Sequence, residues 1–203
     1  MNIQELKDLQ PLVYQQFVTI LEQGRLAHAY LFSGDFASFE MALFLSQALF
    51  CQEKVGVHPC GKCRSCRLIE SNDFSDVTIV APQGNFIKTD TIRELVKNFS
   101  QSGFESSQQV FIIRDAEKMH VNAANSLLKV IEEPQSTIHI FLLTNQEEAV
   151  LPTIKSRTQI ISFPQNLPYL ERFLEEEGLL KTQASLIARL VSSREEAKRL
   201  ATN

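Results

Sequence analysis

Short apolar runs alternate along the chain with longer segments whose apolar residues recur at helical spacing. The short runs have the length of buried strands, and the longer segments have the period of amphipathic helices. Strands that alternate with helices in this way predict a parallel sheet covered by helices on both faces. The predicted strands are residues 29–32, 77–80, 110–113, 138–143 and 160–163.

Proline, glycine and capping residues mark the ends of the predicted helices. One helix opens at Gln10 or Pro11 and ends at Gly24, because proline suits a first turn and glycine favours a stop. Thr91 and Glu94 have the spacing of a capping box and predict a helix that starts there. Further helical patterns cover residues 39–50 and 122–132.

The last forty or so residues carry helical patterns only, with Gly178 as a natural stop between the first two of them. We therefore predict an α/β domain over residues 1–165 and a small helical domain over residues 166–203. The helical patterns in the second domain are residues 168–177, 182–191 and 193–201.

Composition and charge narrow the class of function. Of 203 residues, 44% are hydrophobic and 22% charged, which is typical of soluble globular proteins. The formal net charge of -4 argues against a protein that grips nucleic acid by bulk electrostatics. No apolar run approaches the roughly 20 residues that span a bilayer, and residues 1–8 lack the features of a secretory signal. A cytoplasmic location is therefore expected, where structural disulfides are disfavoured.

The four cysteines, Cys51, Cys60, Cys63 and Cys66, follow the spacing C-x8-C-x2-C-x2-C. Each CxxC step directs two thiolates to one point, and four thiolates make a closed structural zinc site. Disulfides, free thiols and an iron–sulfur cluster are the alternatives, although a low-potential cluster usually has a further cysteine after the CxxCxxC run. The segment is too polar to fold on apolar burial, so bound zinc is expected to stabilise it.

Residues 33–41 lie where the first predicted strand passes into a helix, which is the position of a phosphate-binding loop, G-x-x-x-x-G-K-[ST]. Gly34 matches the first glycine, but Phe39, Glu40 and Met41 replace the second glycine, the lysine and the hydroxyl residue. Phe39 adds bulk, Glu40 repels phosphate and Met41 cannot coordinate Mg²⁺. Alternatively, the segment was never a phosphate loop, since one glycine alone decides nothing.

Three further segments follow in the order found in an ATPase. Arg114 and Asp115 follow strand 110–113, where the acidic residues of a Walker B motif would hold Mg²⁺. Residues 125–134 are very similar to the N-x-L-L-K-x-x-E-E-P stretch of clamp-loader ATPase subunits, and residues 141–145 resemble their sensor-1 strand. With the cysteine insertion, this order and spacing resemble the bacterial clamp-loader delta-prime family over essentially the whole chain.

The resemblance implies a RecA-like AAA+ domain with a five-stranded parallel sheet, a helical lid and a helical collar domain. The sequence ends in or just after a lid helix, so the collar is expected to be missing from it. The family's partners would be the delta subunit, the ATPase gamma/tau subunits, and the sliding clamp and primed DNA through the complex, with no membrane. No bound ATP is expected.

Residues 153–158 resemble the Ser-Arg-Cys motif of clamp loaders, with Thr158 in place of cysteine. The resemblance implies that Arg157 reaches the ATP of a neighbouring subunit, where a guanidinium stabilises charge on the transferring phosphoryl group. An ordinary surface arginine is the alternative. A looser alignment with the sensor-2 helix places Glu195 where an arginine would touch nucleotide. Glu132 is predicted to be a solvated or capping residue.

The resulting hypothesis is a non-hydrolysing stator of the clamp loader, within DNA polymerase III, that supplies Arg157 in trans. One alternative is an active AAA+ motor, against which Glu40, Met41 and Arg114 argue. The other is a zinc-ribbon module that binds nucleic acid, which the overall acidity does not favour.

Overall fold

A single sheet of five parallel strands organises the chain, whose computed structural model describes residues 3–100, 108–133, 137–191 and 194–201. The strands lie in the order β2-β3-β4-β1-β5. In the sheet, β1 therefore lies between β4 and β5, the last two strands in sequence. Their bounds are β1 (Ala29–Ser33), β2 (Val77–Val80), β3 (Gln108–Ile113), β4 (Thr137–Thr144) and β5 (Gln159–Ser162).

Helices connect the strands, and those after β5 follow one another directly. None of the helices within the described ranges is both long and apolar enough to cross a bilayer. Their bounds are α1 (Ile3–Leu9), α2 (Pro11–Glu22), α3 (Ser38–Phe50), α4 (Arg64–Glu70), α5 (Thr89–Ser100), α6 (Val121–Glu132), α7 (Pro152–Lys155), α8 (Leu167–Glu176), α9 (Lys181–Leu190) and α10 (Arg194–Ala201).

The start of α5 differs from the prediction, because the helix begins at Thr89 and Thr91 lies inside its first turn. The residue that sets this start is Ile87, which is buried and bonded through its amide to the carbonyl oxygen of Lys118 at 3.0 Å. Since that contact fixes the chain just before Thr89, the helix begins earlier than the capping-box spacing indicates.

The sheet separates two apolar clusters, as expected when parallel strands are covered on both faces. Along β1, Tyr30 and Phe32 point into one cluster while Ala29 and Leu31 point into the other, which is the period of two expected of a strand. The first cluster also contains Leu170 of α8. The helices after residue 166 therefore pack on the same apolar layer as α2 and α3, and the division at residues 165/166 stays a prediction.

The turn after β1 depends on a glycine. Gly34 has a φ of +116°, and a Cβ there would collide with the carbonyl oxygen of Phe163 and stand 3.0 Å from its carbonyl carbon. The backbone of Phe163 cannot move away freely, because its amide donates to Ser33 O at 2.7 Å and so extends the pairing of β1 with β5.

Replacing Gly34 by alanine is therefore expected to lower the free energy of unfolding by about 3 kcal/mol, the sum of backbone strain and steric overlap. Urea unfolding followed by circular dichroism measures the loss. Gly178→Ala is the matched control, because Gly178 has a φ of +100° with nothing within 4 Å of a Cβ. Equal losses in the two variants would contradict the role assigned to Phe163.

Candidate functional site

Four cysteine sulfurs meet beside the carboxyl-terminal end of α3. The Sγ atoms of Cys51, Cys60, Cys63 and Cys66 all lie within 4.8 Å of one another, and all four thiols are free. Zinc–sulfur bonds of about 2.3 Å at tetrahedral angles place neighbouring sulfurs about 3.8 Å apart. The sulfurs of Cys51 and Cys63 are 3.9 Å apart. The donor set therefore has the size and chemistry of a tetrahedral zinc site.

Two helix ends and two tight turns bring these sulfurs together. Cys51 directly follows α3, and Cys63 directly precedes α4, where its sulfur accepts a hydrogen bond from the Cys66 amide at 3.5 Å. The Cys60 sulfur accepts from the amides of Lys62 and Cys63 at 3.4 and 3.2 Å. Amides directed at a sulfur stabilise the thiolate, which is the form that binds metal. Both predicted CxxC turns are thus present.

The surroundings of the sulfurs affect their ionisation in opposite directions. Burial raises the pKa of Cys63, but hydrogen bonds from the amides of Cys66 and Gln52, together with those to the thiols of Cys66 and Cys60, lower it by more, to about 6. Burial is the main cause that raises the pKa of Cys66, which is fully buried. A buried thiolate is stable when a cation compensates its charge. The cluster therefore combines the Cys63 thiol, which ionises readily, with the Cys66 thiol, whose negative charge needs a nearby cation.

The turn between β1 and α3 is filled by its own residues. Phe36 and Ala37 are 4% and 5% exposed, and the Phe36 ring joins the apolar cluster beneath the turn. Buried Gln10 donates from Nε2 to Phe36 O at 2.9 Å and to Pro164 O at 2.7 Å, so it ties the turn to the segment after β5. A phosphate cradle needs amides that are open to a ligand. Here the Ala37 amide already donates to Asp35 O at 3.0 Å.

Phe39 and Arg114, two of the residues that depart from the ATPase motifs, contact each other. Cζ of Arg114 stands 4.9 Å from the centroid of the Phe39 ring, which is a cation–π distance. Met41 is fully buried in the apolar cluster, whereas Glu40 lies partly exposed one position before it. At the carboxyl ends of the strands, the first residues of α3 thus pack against Arg114 and the apolar cluster.

Thr144, at the end of β4, joins this turn to the segment after β3. Its carbonyl oxygen accepts from the Gly34 amide at 2.8 Å, and its hydroxyl donates to Glu117 Oε2 at 2.6 Å. Asp115 has a φ of +51°, and its carboxylate lies 3.7 Å from Lys118 Nζ. The Walker B-like carboxylate of Asp115 thus forms an ion pair with a lysine of its own turn. Thr144 bonds to Gly34 and Glu117, which lie in the neighbouring segments.

Arg157 lies at the opposite end of the strands, before the amino-terminal end of β5. It precedes β5, whereas Gly34 follows β1, and these parallel strands pair Ser33 with Ser162. With a rise of about 3.3 Å per residue, β5 itself spans about 10 Å from Gln159 to Ser162, and Arg157 precedes Gln159 in the turn before the strand. Arg157 and the phosphate-like turn therefore lie at opposite ends of the paired strands β1 and β5. The Arg157 side chain is 40% exposed.

The guanidinium of Arg157 has three partners. Nε donates to Glu132 Oε1, and Nη1 donates to Thr153 O at 3.3 Å and to Ser156 Oγ at 3.4 Å. Glu132 is the last residue of α6. Glu132 is exposed, as expected of a solvated residue, and its carboxylate also forms an ion pair with Arg157 that was not predicted. The partners are too distant in sequence for any periodic pattern to reveal the pair.

Two histidines near Arg157 were also missed by sequence reasoning. The rings of His28 and His139 stack with centroids 5.8 Å apart. Nδ1 of His28 lies 2.8 Å from Ile138 O, and Nδ1 of His139 lies 2.9 Å from Ala27 O. Burial lowers the pKa of His139 despite the opposing effect of that hydrogen bond. Their reciprocal contacts arise from the pairing of β1 with β4, which the sequence alone does not specify.

One motif residue lies outside the described ranges, and the side chain of another is not described. Pro134 ends the stretch that resembles clamp-loader ATPases, and it falls between the described ranges. Glu195 belongs to α10, but its side chain is not among those described. The sensor-2 alignment therefore stays a prediction.

Comparison with known proteins gives the relationship of this chain to others. Residues 9–166 match the sequence model of a family described as DNA polymerase III, delta subunit. A DNA polymerase III subunit delta' from Bacillus subtilis is 39% identical over 202 residues, which cover 98% of this chain and 61% of that protein. A gamma/tau subunit from Mycobacterium tuberculosis is 33% identical over 175 residues, covering 81% of this chain and 30% of that protein. The chain thus spans less than two thirds of its delta' relative.

A solved structure supports the fold. The gamma subunit-related protein of Thermotoga maritima superposes with a TM-score of 0.63 and 24% identity, over 93% of this chain and 57% of that chain. This likeness and the parallel order β2-β3-β4-β1-β5 confirm the predicted α/β fold with a five-stranded parallel sheet. The family match extends over most of the sequence. This chain belongs to the family of DNA polymerase III delta' subunits.

Proposed function

We propose that this chain is a non-hydrolysing clamp-loader subunit that acts as a stator and supplies Arg157 in trans to a neighbouring ATPase subunit. The neighbour hydrolyses ATP while the sliding clamp is loaded on primed DNA. The observation that carries the proposal is the placement of Arg157, which lies half-exposed before β5, whereas the chain's own phosphate-like turn follows β1 at the other end of the paired strands.

The state of that turn supports the first half of the proposal. The buried ring of Phe36 packs between the turn and the apolar cluster, and Phe39, at the start of α3, contacts Arg114. Glu40 would repel a triphosphate, and Met41 offers no oxygen to Mg²⁺. These features oppose the alternative of an active motor, in which an open loop and a lysine hold the phosphates.

The similarity to a gamma/tau subunit supports the choice of neighbour. Related AAA+ chains assemble side by side in the proposed complex, so an arginine on one can face a nucleotide on the next. Zinc at Cys51, Cys60, Cys63 and Cys66 would then serve as a structural metal, since four sulfur ligands leave no position for a substrate. The net charge of -4 speaks against a module whose main task is to bind nucleic acid.

Titration with a fluorescent ATP analogue and Mg²⁺ is expected to show no saturable binding up to millimolar concentrations, because the loop lacks both its cation and its open amides. Fluorescence anisotropy measures the binding. An ATP-binding gamma/tau subunit under the same conditions serves as the positive control. Magnesium-dependent binding in the micromolar range would contradict the stator and favour the motor.

A further inference from the structure

We propose that Glu132 is a positioning residue, which fixes the guanidinium of Arg157 in the direction of the neighbouring subunit. The inference rests on the proposed function, since it assigns to Glu132 a role in the action of Arg157. Glu132 itself need not touch nucleotide. Its carboxylate acts through the arginine, because it determines which N–H groups of the guanidinium face the neighbouring subunit.

The hydrogen bonds of Arg157 define that edge. Glu132 accepts from Nε, and Thr153 O and Ser156 Oγ accept from Nη1. Within the described ranges no protein atom accepts from Nη2. A guanidinium binds a phosphoryl oxygen best through a fixed pair of donors. Occupation of Nε by a carboxylate therefore directs the terminal nitrogens, Nη2 foremost, toward an incoming ligand.

Both ends of the ion pair are attached to well-packed elements. Glu132 ends α6, which is anchored in the core by Leu127 and Val130. Arg157 follows α7, whose Ile154 is fully buried and accepts a hydrogen bond from the Thr158 hydroxyl at 3.0 Å. The contact thus links two rigid supports, and it orders a long side chain before a partner docks. Ordering before docking removes part of the entropy cost of forming the interface.

Without Glu132 the guanidinium would have open space around it. A groove of about 360 Å³ beside Arg157 is lined by residues that include His28, Ile131 and Gln159. The two charged side chains are 40% and 48% exposed, so the pair contributes little to folding stability. Its main consequence is therefore the direction of the guanidinium, and a phosphoryl group can compete for the terminal nitrogens without disrupting the fold.

The test measures steady-state ATP hydrolysis by the protein assembled with its ATPase partner subunits and the clamp. Glu132→Ala is expected to lower kcat about 10-fold, because a misplaced catalytic group loses rate steeply with distance. KM for ATP should change less than about twofold, since the substrate's own loop is untouched. Glu132→Gln keeps an acceptor for Nε and should restore most of the rate. Glu133→Ala removes the adjacent exposed carboxylate and should have no effect.

A double-mutant cycle shows whether Glu132 acts through Arg157. In an Arg157→Ala background, Glu132→Ala should cause no further loss, because the group that it positions is gone. A loss as large as in the wild-type background would overturn the inference, and so would an unchanged or raised kcat in Glu132→Ala alone. In those cases an effect of Arg157→Ala would leave the proposed function standing. An Arg157→Ala complex with full activity would overturn both.

A second readout tests the contact without activity. The ¹⁵N-labelled Nε–H of Arg157 should give a resonance that shifts in Glu132→Ala and stays close to its original position in Glu133→Ala. The melting temperature of both variants should match that of the unmodified chain. A resonance that is unchanged by Glu132→Ala would show that the pair does not form in solution and would overturn the inference.

Discussion

Replacing Arg157 by alanine is expected to slow ATP hydrolysis at the site that it serves by about 10³–10⁵-fold, the usual worth of an arginine finger. The reason is electrostatic, since the guanidinium stabilises charge that develops on the phosphoryl oxygens as the bond to the leaving group breaks. Single-turnover hydrolysis in the assembled complex measures this effect. Inactivating the phosphate loop of every ATPase subunit but one, each in turn, identifies the neighbour that depends on Arg157.

Two further variants separate the role of the paired guanidinium donors from the role of the positive charge. Arg157→Lys keeps the positive charge but loses the paired donors, so it should recover only a small part of the rate. Lys155→Ala removes a cation two residues away whose Nζ donates to Glu147 O at 3.3 Å, and it should leave hydrolysis unchanged. Full activity of Arg157→Ala at every site would refute the proposed trans action.

Loss of zinc is expected to lower the free energy of unfolding by about 4 kcal/mol or more, a size typical of a lost structural metal. Cys66→Ser should have the same effect as a chelator, because it removes one of four ligands. For a chain of this size the corresponding fall in Tm is about 8 °C or more. The metal would hold α4 against the end of α3, because the polar segment between the cysteines has little apolar surface to replace it.

Elemental analysis and thermal unfolding check this expectation together. One zinc per chain should be present before chelation, and Tm should return when zinc is restored. Lys62→Ala is the control, since this residue lies within the cluster but contributes only its backbone amide to a sulfur. An unchanged Tm after complete removal of the metal would refute a structural role, and bound iron in place of zinc would favour the cluster alternative.

The sequence predicted the strands well because each is a short run of mostly apolar residues. Every predicted strand overlaps an observed one, and the predicted run 77–80 coincides with β2 (Val77–Val80). The helix α4 was missed, since it is short and its start depends on Cys63 as the residue before its first turn. Such a start follows from the sulfur geometry and leaves no apolar period in the sequence.

The candidate site was predictable only where its chemistry is local. Cysteine spacing predicted four neighbouring sulfurs because two CxxC turns are properties of a few consecutive residues. The contact of Phe39 with Arg114 was not predictable, since it depends on β4 lying between β1 and β3. The pair of Arg157 with Glu132 likewise joins two elements whose proximity is set by the tertiary fold. The sequence therefore identified Phe39, Arg114 and Arg157 as candidate site residues but could not predict which side chains they contact.

The two hydrogen bonds of Gln10 join the phosphate-like turn to the segment just before α8. A bound nucleotide that bridged a loop and a helical segment would make their relation depend on its concentration, which is the basis of ligand-driven switching. The amide of Gln10 spans the same two backbone segments, at Phe36 and Pro164, with atoms of the chain itself. If the chain binds no nucleotide at this turn, as proposed, this bridge keeps the two segments joined at any nucleotide concentration.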